Sequence, residues 1–216
     1  MGNANRYSPA VMASRIEPPD SLDFFPTPPW GTRALCKYVL SSWPLSIQTV
    51  WEPAAGRGHM VRPLSEFFAT VFASDVHDYG CGYRVGSFVG EGQDVIDCPF
   101  QPDWIITNPP FRLGEEFVNR ALNEARVGVA MLARTAFIES SARYQLFAVS
   151  GFHCLAPFSA RLPMVKGRCD PNASSATSYS WFVWLKKFSV AKIIIIPPNA
   201  RSKLERDSDY SVEEAA

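Results

Sequence analysis

Net charge is the first thing this chain lacks: lysines plus arginines and aspartates plus glutamates number 21 each among 216 residues. Without an overall basic field, any contact with a polyanion must come from a local patch. Paired cysteines are missing too. The five present, Cys36, Cys81, Cys98, Cys154 and Cys169, are odd in number and never in Cys-x-x-Cys spacing, which argues against a disulfide framework and a zinc site. His59, His77 and His153 show neither ligand nor triad spacing, and no metal is expected. Long apolar runs are absent as well. The longest late one, Ile193 to Ile196, stops at Pro197 and Pro198, and the first residues carry no basic flank followed by an apolar core. Neither secretion nor membrane spanning is expected, and a reducing cytoplasm is the expected location. There is no internal repeat and no low-complexity tract.

What remains is enough for one domain with a full core. Residues 1–21 are polar, proline-containing and aperiodic, and 199–216 are charged, so both read as flexible tails around a domain over 22–198. Within it, Thr49 to Trp51, Thr70 to Ala73, Trp104 to Thr107 and Val127 to Leu132 are β-branched or aromatic runs that alternate with helical patterns. A helix is predicted from about His59 to Phe68. Another, Gly114 to Arg126, puts Phe117, Ala121, Leu122 and Ala125 on one face and pairs Glu116 with Arg120 on the other. Ser178 to Lys187 and Val190 to Ile196 read as a closing antiparallel hairpin. The predicted fold is therefore α/β, a doubly wound, mainly parallel sheet with an antiparallel C-terminal strand. The patternless stretch Arg161 to Thr177 is long enough to be a substrate loop.

Two motifs carry chemistry. Val50-Trp51-Glu52-Pro53-Ala54-Ala55-Gly56-Arg57-Gly58 is a strand running into a small-residue turn, which lets a ligand approach the backbone. Asp75 stands about 20 residues after Gly56 at the end of the next strand, where a carboxylate can accept from ribose hydroxyls. The third glycine of the dinucleotide fingerprint is replaced by Val61, which disfavours a pyrophosphate there. An ordinary strand-to-helix turn has the same pattern, and Glu52 and Asp75 also suit caps or loop ends. The second motif is sharper: Asp103 to Thr107, a buried strand, runs into Asn108-Pro109-Pro110-Phe111. Two prolines preset the turn and donate no hydrogen bond. A plain loop breaker would look so. A site for an amine conjugated to a heteroaromatic ring would as well, with the Asn108 side-chain oxygen and Pro109 carbonyl accepting its two N–H groups, its lone pair free for a methyl electrophile, and Phe111 stacked on the ring.

Asn-Pro-Pro-Phe together with Glu-Pro-Ala-Ala-Gly-x-Gly resembles the class I S-adenosylmethionine-dependent methyltransferases that act on planar nitrogen, specifically the DNA N6-adenine methyltransferases. A third block, Asp23 to Pro29, precedes the glycine loop as in that family. With Leu132 to Phe137 and Ser174 to Thr177, the likeness spans residues 22–196 and is strongest to small phage and prophage adenine methyltransferases. The resemblance implies S-adenosyl-L-methionine as cofactor and DNA as partner, with RNA or a protein glutamine as other substrates of the same fold, or a silent nucleic-acid-binding protein. It implies that Thr27 and neighbours such as Phe25 touch the methionine part of the cofactor. Glu52, Pro53, Ala54, Gly56 and Gly58 would line its loop, Asp75 beside Val76 would bind the ribose, and Asp94 with Val95 the adenine. Asn108, Pro109, Pro110 and Phe111 would hold the target base, with Asn108 also beside the cofactor. Thr27 is equally a helix cap, and Asp94 a polar-loop residue. No separate target-recognition domain is evident. Arg134, Arg161, Lys166 and Arg168 are therefore assigned to the substrate, although a solvated loop carries such cations too.

Overall fold

The structure, a computed structural model, describes residues 23–187 and 190–211; the predicted N-terminal tail lies outside the described residues. Strands β1 (Thr49–Glu52), β2 (Thr70–Asp75), β3 (Arg84–Val85), β4 (Trp104–Thr107), β5 (Gly128–Arg134), β6 (Phe152–Pro157), β7 (Tyr179–Leu185) and β8 (Lys192–Ile193) form one sheet in the order β3-β2-β1-β4-β5-β7-β6-β8. β7 runs antiparallel to both β5 and β6, and every other neighbouring pair is parallel. The main helices are α1 (Pro29–Ala34), continued as a π-turn over Leu35–Val39, then α2 (Val61–Leu64), α3 (Gly114–Glu124), α4 (Tyr144–Ala148) and α5 (Ala200–Leu204).

The period of two in the strands explains the layers. Val50, Trp104, Ile106, Leu132, Trp181 and Val183 point into one apolar layer with Trp30, Leu35 and Leu64. Trp51, Ile105, Val129, Met131, Phe182 and Trp184 point into the other with Phe117 and Val118 of α3. Both faces of the central strands are thus covered, so these strands read as continuous apolar runs rather than alternating ones. The predicted doubly wound, mainly parallel sheet with an antiparallel strand is the one observed.

Four local expectations are corrected. The helix from His59 to Phe68 shrinks to Val61–Leu64, because Pro63 has no N–H for the ladder and turns replace it on either side. The closing hairpin does not form: β7 takes β5 and β6 as partners, and β8 adds in parallel to β6. Arg120 pairs with Asp97 at 2.8 Å and Glu124 at 3.5 Å rather than with Glu116, its guanidinium lying 4.8 Å from the Phe88 ring centroid.

The fourth correction is the C-terminal tail. Within 199–211 the chain forms α5 and a 3-10 turn, with Ala200, Leu204 and Asp209 buried. The cause is Arg33 on α1, which is itself buried. Its guanidinium makes paired bonds to Asp209 (2.7 and 2.8 Å) and to Glu66, and donates to the Leu204 carbonyl at 2.9 Å. A buried guanidinium needs its donors satisfied and its charge balanced, and the C-terminal segment supplies half of both. Residues 212–216 lie outside the described residues.

Candidate active site

Strand order reverses between β1 and β4, since β2 and β3 extend the sheet on one side and β5 on the other. Ligands of open α/β sheets lie at the carboxyl ends of the strands at such a switch point. Here Glu52 ends β1 and Thr107 ends β4, and the Thr107 hydroxyl donates across the gap to Glu52 Oε1 at 2.8 Å. Oε1 also accepts the Ala54 N–H at 2.9 Å, while Oε2 is buried without a partner. Burial pushes the Glu52 carboxyl up to about 8, against the pull of these two donors. Glu52 therefore braces the turn from below.

The turn above it has Gly56 at φ 52° and Gly58 at φ 81°, conformations that side-chain-bearing residues rarely adopt. A Cβ on Gly56 would stand 2.6 Å from the Phe24 ring, and one on Gly58 would overlap the Tyr83 hydroxyl. The groups that approach this backbone closely are thus the chain's own rings. The Gly56 N–H is spent inward on Asp75 Oδ2 at 2.8 Å, and Asp75 Oδ1 accepts from the His77 N–H at 3.0 Å. Asp75 is still at the cleft wall, and burial raises its pKa.

That cleft is open to solvent on one side and has a cavity volume of about 130 Å³. Phe25, Thr27, Pro53, Ala54, Asp75, Val76 and Asn108 are brought together on its walls. Glu52, Gly56 and Gly58 stand behind it, and Asp94 and Val95 do not line it: Asp94 is exposed, and its carbonyl accepts from Ser87, one of the residues that do. Sequence reasoning missed Phe24, His59, Tyr79, Ser87, Phe88 and Val89, which also line it. Phe24 and Tyr79 stack at a centroid distance of 4.9 Å. Burial, then Arg62 and Arg57, lowers the His59 pKa to about 4, so its ring is neutral at pH 7. Only His59's position directly after the Gly-x-Gly turn could have signalled it.

Asn108 leaves β4 where the two prolines fix the chain. Its Nδ2 donates to the Phe25 carbonyl at 2.8 Å, and its Oδ1 is buried without a partner. The Nδ2 bond fixes which way the amide faces, so the unpartnered Oδ1 is a buried acceptor beside the second N–H of Nδ2. The turn is held from the other side by Asp23, whose Oδ2 accepts the Phe111 N–H at 2.8 Å.

Pro109, Pro110 and Phe111 face a second cleft of about 210 Å³, floored by Met131, Leu132 and Ala133 of β5, with Pro110 common to both. Phe111 sits 5.2 Å from Phe25, and the Arg134 guanidinium lies 4.4 Å from its centroid. Loop 161–177 is pinned rather than loose: Leu162, Met164 and Cys169 are buried, and the Gly167 N–H donates to the Phe24 carbonyl at 2.9 Å. Its cations are partly engaged. Arg161 donates to the Ser175 and Ala176 carbonyls, and Arg168 pairs with Asp170 at 3.1 Å; Lys166 is exposed. Among the described residues no helix is long and apolar enough to cross a membrane.

No protein-family model and no curated protein sequence matches the chain. Solved structures do. The methyltransferase subunit of a type I restriction-modification system from Streptococcus thermophilus superposes with a TM-score of 0.61 at 10% identity, covering 88% of this chain and 52% of that one. The type I restriction enzyme EcoKI M protein gives 0.52 at 13% identity, over 74% of this chain and 43% of that one. A candidate RNA methyltransferase from Pyrococcus horikoshii gives 0.50 at 13% identity, over 73% and 82%. This chain spans about half the length of the type I subunits. At such identities the likeness is one of fold, and the fold is Rossmann-like, that of class I methyltransferases, as expected.

Proposed function

We propose that this chain is an S-adenosylmethionine-dependent methyltransferase that methylates the N6 amine of adenine in DNA. One observation carries the reading: Asn108, on the wall of the first cleft and next in sequence to the Pro109 and Pro110 that line the second, has one amide N–H tied to Phe25 and its buried oxygen unpartnered, leaving an acceptor where an amine must be held. A buried acceptor left empty costs about 1–3 kcal/mol, which binding of an N–H donor recovers.

The first cleft fits the cofactor by its mix of an apolar aromatic wall with the carboxylates of Asp75 and Asp23. Asp75 and Val76 would hold the ribose, Phe25, Thr27, Pro53 and Ala54 the methionine part, and Ser87 to Val89 take the place assigned to Asp94 and Val95 beside the adenine. Glu52, Gly56 and Gly58 shape the loop from behind. S-adenosylmethionine, when bound, supplies a methyl group activated by a sulfonium. Asn108 Oδ1 and the Pro109 carbonyl accept the amine's two N–H groups and turn its lone pair toward the first cleft. The amine's proton leaves to solvent, so no strong base is required. Pro110 and Phe111 bracket the ring of a flipped base, and Arg134, Arg161, Lys166 and Arg168 meet the strand. The blocks at 23–29, 52–58, 108–111, 132–137 and 174–177 support a likeness to small phage and prophage adenine methyltransferases.

The test is transfer of a labelled methyl group from the cofactor to DNA, RNA or a glutamine peptide offered in parallel. Label in adenine of DNA is the expected result. Label in RNA or peptide moves the substrate within the fold, and no label in any polymer, with no binding of S-adenosylhomocysteine, removes the reading.

A further inference from the structure

Arg33, Arg120, Arg126, Arg168, Arg201 and Arg206 all face carboxylates in ion pairs. Two arginines on the rim of the second cleft are different. Arg134 lies over the Phe111 ring beside the Tyr179 hydroxyl, and Arg143 lies over the Phe137 ring with its Cζ 4.4 Å from the centroid and its Nε donating to the Phe137 carbonyl at 2.9 Å. No carboxylate pairs with either among the described residues. Both guanidiniums are oriented by a ring, and the Arg143 ring is itself fixed. Phe137 packs 5.6 Å from Phe182 of the core and 6.0 Å from Phe147, in space left open by Gly114. The terminal nitrogens of Arg143 have no partner among the described residues.

A guanidinium stacked on a ring, with no carboxylate on its outer nitrogens, is pre-organised for a planar two-point contact with an anion. Between the two arginines the cleft is apolar, floored by Met131, Leu132 and Ala133. A cationic rim around an apolar floor matches a nucleotide, whose ring is apolar on its faces and whose phosphates flank it. The cations of loop 161–177 are worse placed for this, since Arg161 is tied to carbonyls and Arg168 to Asp170.

We infer that Arg134 and Arg143 together form a phosphate site that holds the polynucleotide backbone beside the nucleotide entering the second cleft. Phe137 serves as the platform that positions Arg143. The inference rests on the proposed function and deepens it by naming a backbone contact outside the loop expected to carry it. It also means that Arg134 must leave the face of Phe111 it covers when a base stacks there, so that base entry and phosphate capture occur together.

The test uses the full chain with S-adenosylhomocysteine present and a short fluorescein-labelled oligodeoxyadenylate, titrated at several salt concentrations. Replacing both residues (Arg134→Gln with Arg143→Gln) should weaken binding and flatten the slope of log K against log salt by about 1.4, at roughly 0.7 for each single-strand phosphate that is no longer neutralised. Arg134→Lys with Arg143→Lys, which keeps both charges, should retain most of the slope and guards against misfolding. An oligoriboadenylate with the same difference in slope would support the site equally. An unchanged slope in a double variant that still melts and binds S-adenosylhomocysteine like the wild type overturns the inference alone. So does an uncharged methylphosphonate oligomer that binds the wild type as tightly as the phosphodiester. A wild type that binds neither oligomer nor S-adenosylhomocysteine overturns the inference and the proposed function together.

Discussion

Replacing Asn108 by alanine separates chemistry from architecture, because the side chain has one group in each. Its Nδ2 bond to the Phe25 carbonyl, 2.8 Å long, is structural, and its unpartnered Oδ1 belongs to the site. Losing the first costs about 1 kcal/mol for the bond, rising to about 3 kcal/mol if the Phe25 carbonyl stays buried without a donor. For a domain of this size each kcal/mol moves the melting temperature by about 2–4 °C, so a fall on the order of 5 °C is expected. Losing the second removes a preorganised acceptor and should lower turnover by about 10²- to 10³-fold. Turnover would be read with labelled cofactor on the best polymer substrate. Thermal melting and S-adenosylhomocysteine titration would be run on the same preparation. The expected pattern is a large loss of turnover beside a modest loss of stability and nearly intact cofactor affinity. Turnover within a few-fold of wild type, or turnover that falls only in step with cofactor affinity, would refute the assignment of the whole Asn108 to Phe111 turn.

Glu52→Gln should flatten the pH dependence of stability. With the folded carboxyl near 8 against an ordinary value near 4.5, the native state holds the extra proton between them, so wild-type stability should fall as pH rises through that window, by up to about 1.4 kcal/mol per unit, and level off above 8. Denaturant melts at pH 5 and 8 that show no such fall would contradict it. Arg33→Leu strands buried Asp209 and part-buried Glu66, and should cost about 3–5 kcal/mol in denaturant unfolding; a loss under about 1 kcal/mol would mean the C-terminal segment is held by its apolar contacts. Asp75→Ala should weaken S-adenosylhomocysteine binding by about 1–3 kcal/mol and also lower the melting point, because the Gly56 and His77 amides lose their acceptor. Calorimetry showing unchanged affinity would take Asp75 out of the cofactor site.

How much of this was readable from the sequence follows from which interactions are local. Strands β1, β4 and β5 announce themselves as short apolar runs, since residues of both parities are buried in a doubly covered sheet. The Asn108 turn is equally local: two prolines after a strand leave the backbone little choice. β6 did not announce itself, because Phe152-His153-Cys154-Leu155-Ala156-Pro157 alternates weakly and becomes a strand only by pairing with β7. That pairing also displaced the predicted hairpin, leaving β8 the outer edge of β6. The C-terminal segment looked like a tail because its anchor, Arg33, stands 176 residues from Asp209. The cleft shows the same division. Asp75 and the glycine turn were legible by spacing. Phe24, Tyr79 and Phe88 were not, since a lone aromatic carries no sign of which wall it will join. The substrate cations were read from composition, which could not show that Asp170 would engage Arg168 while Arg143 faces no carboxylate.

The central claim is that the buried acceptor of Asn108 receives an adenine amine of DNA. Its most direct test is to express the chain in cells lacking adenine methylation, digest their DNA to nucleosides, and weigh the adenosine fraction by mass spectrometry beside an Asn108→Ala control. N6-methyldeoxyadenosine with the wild type, and none above background with the variant, is the expected result. Methylation of another base, or equal N6-methyldeoxyadenosine from both proteins, would contradict it.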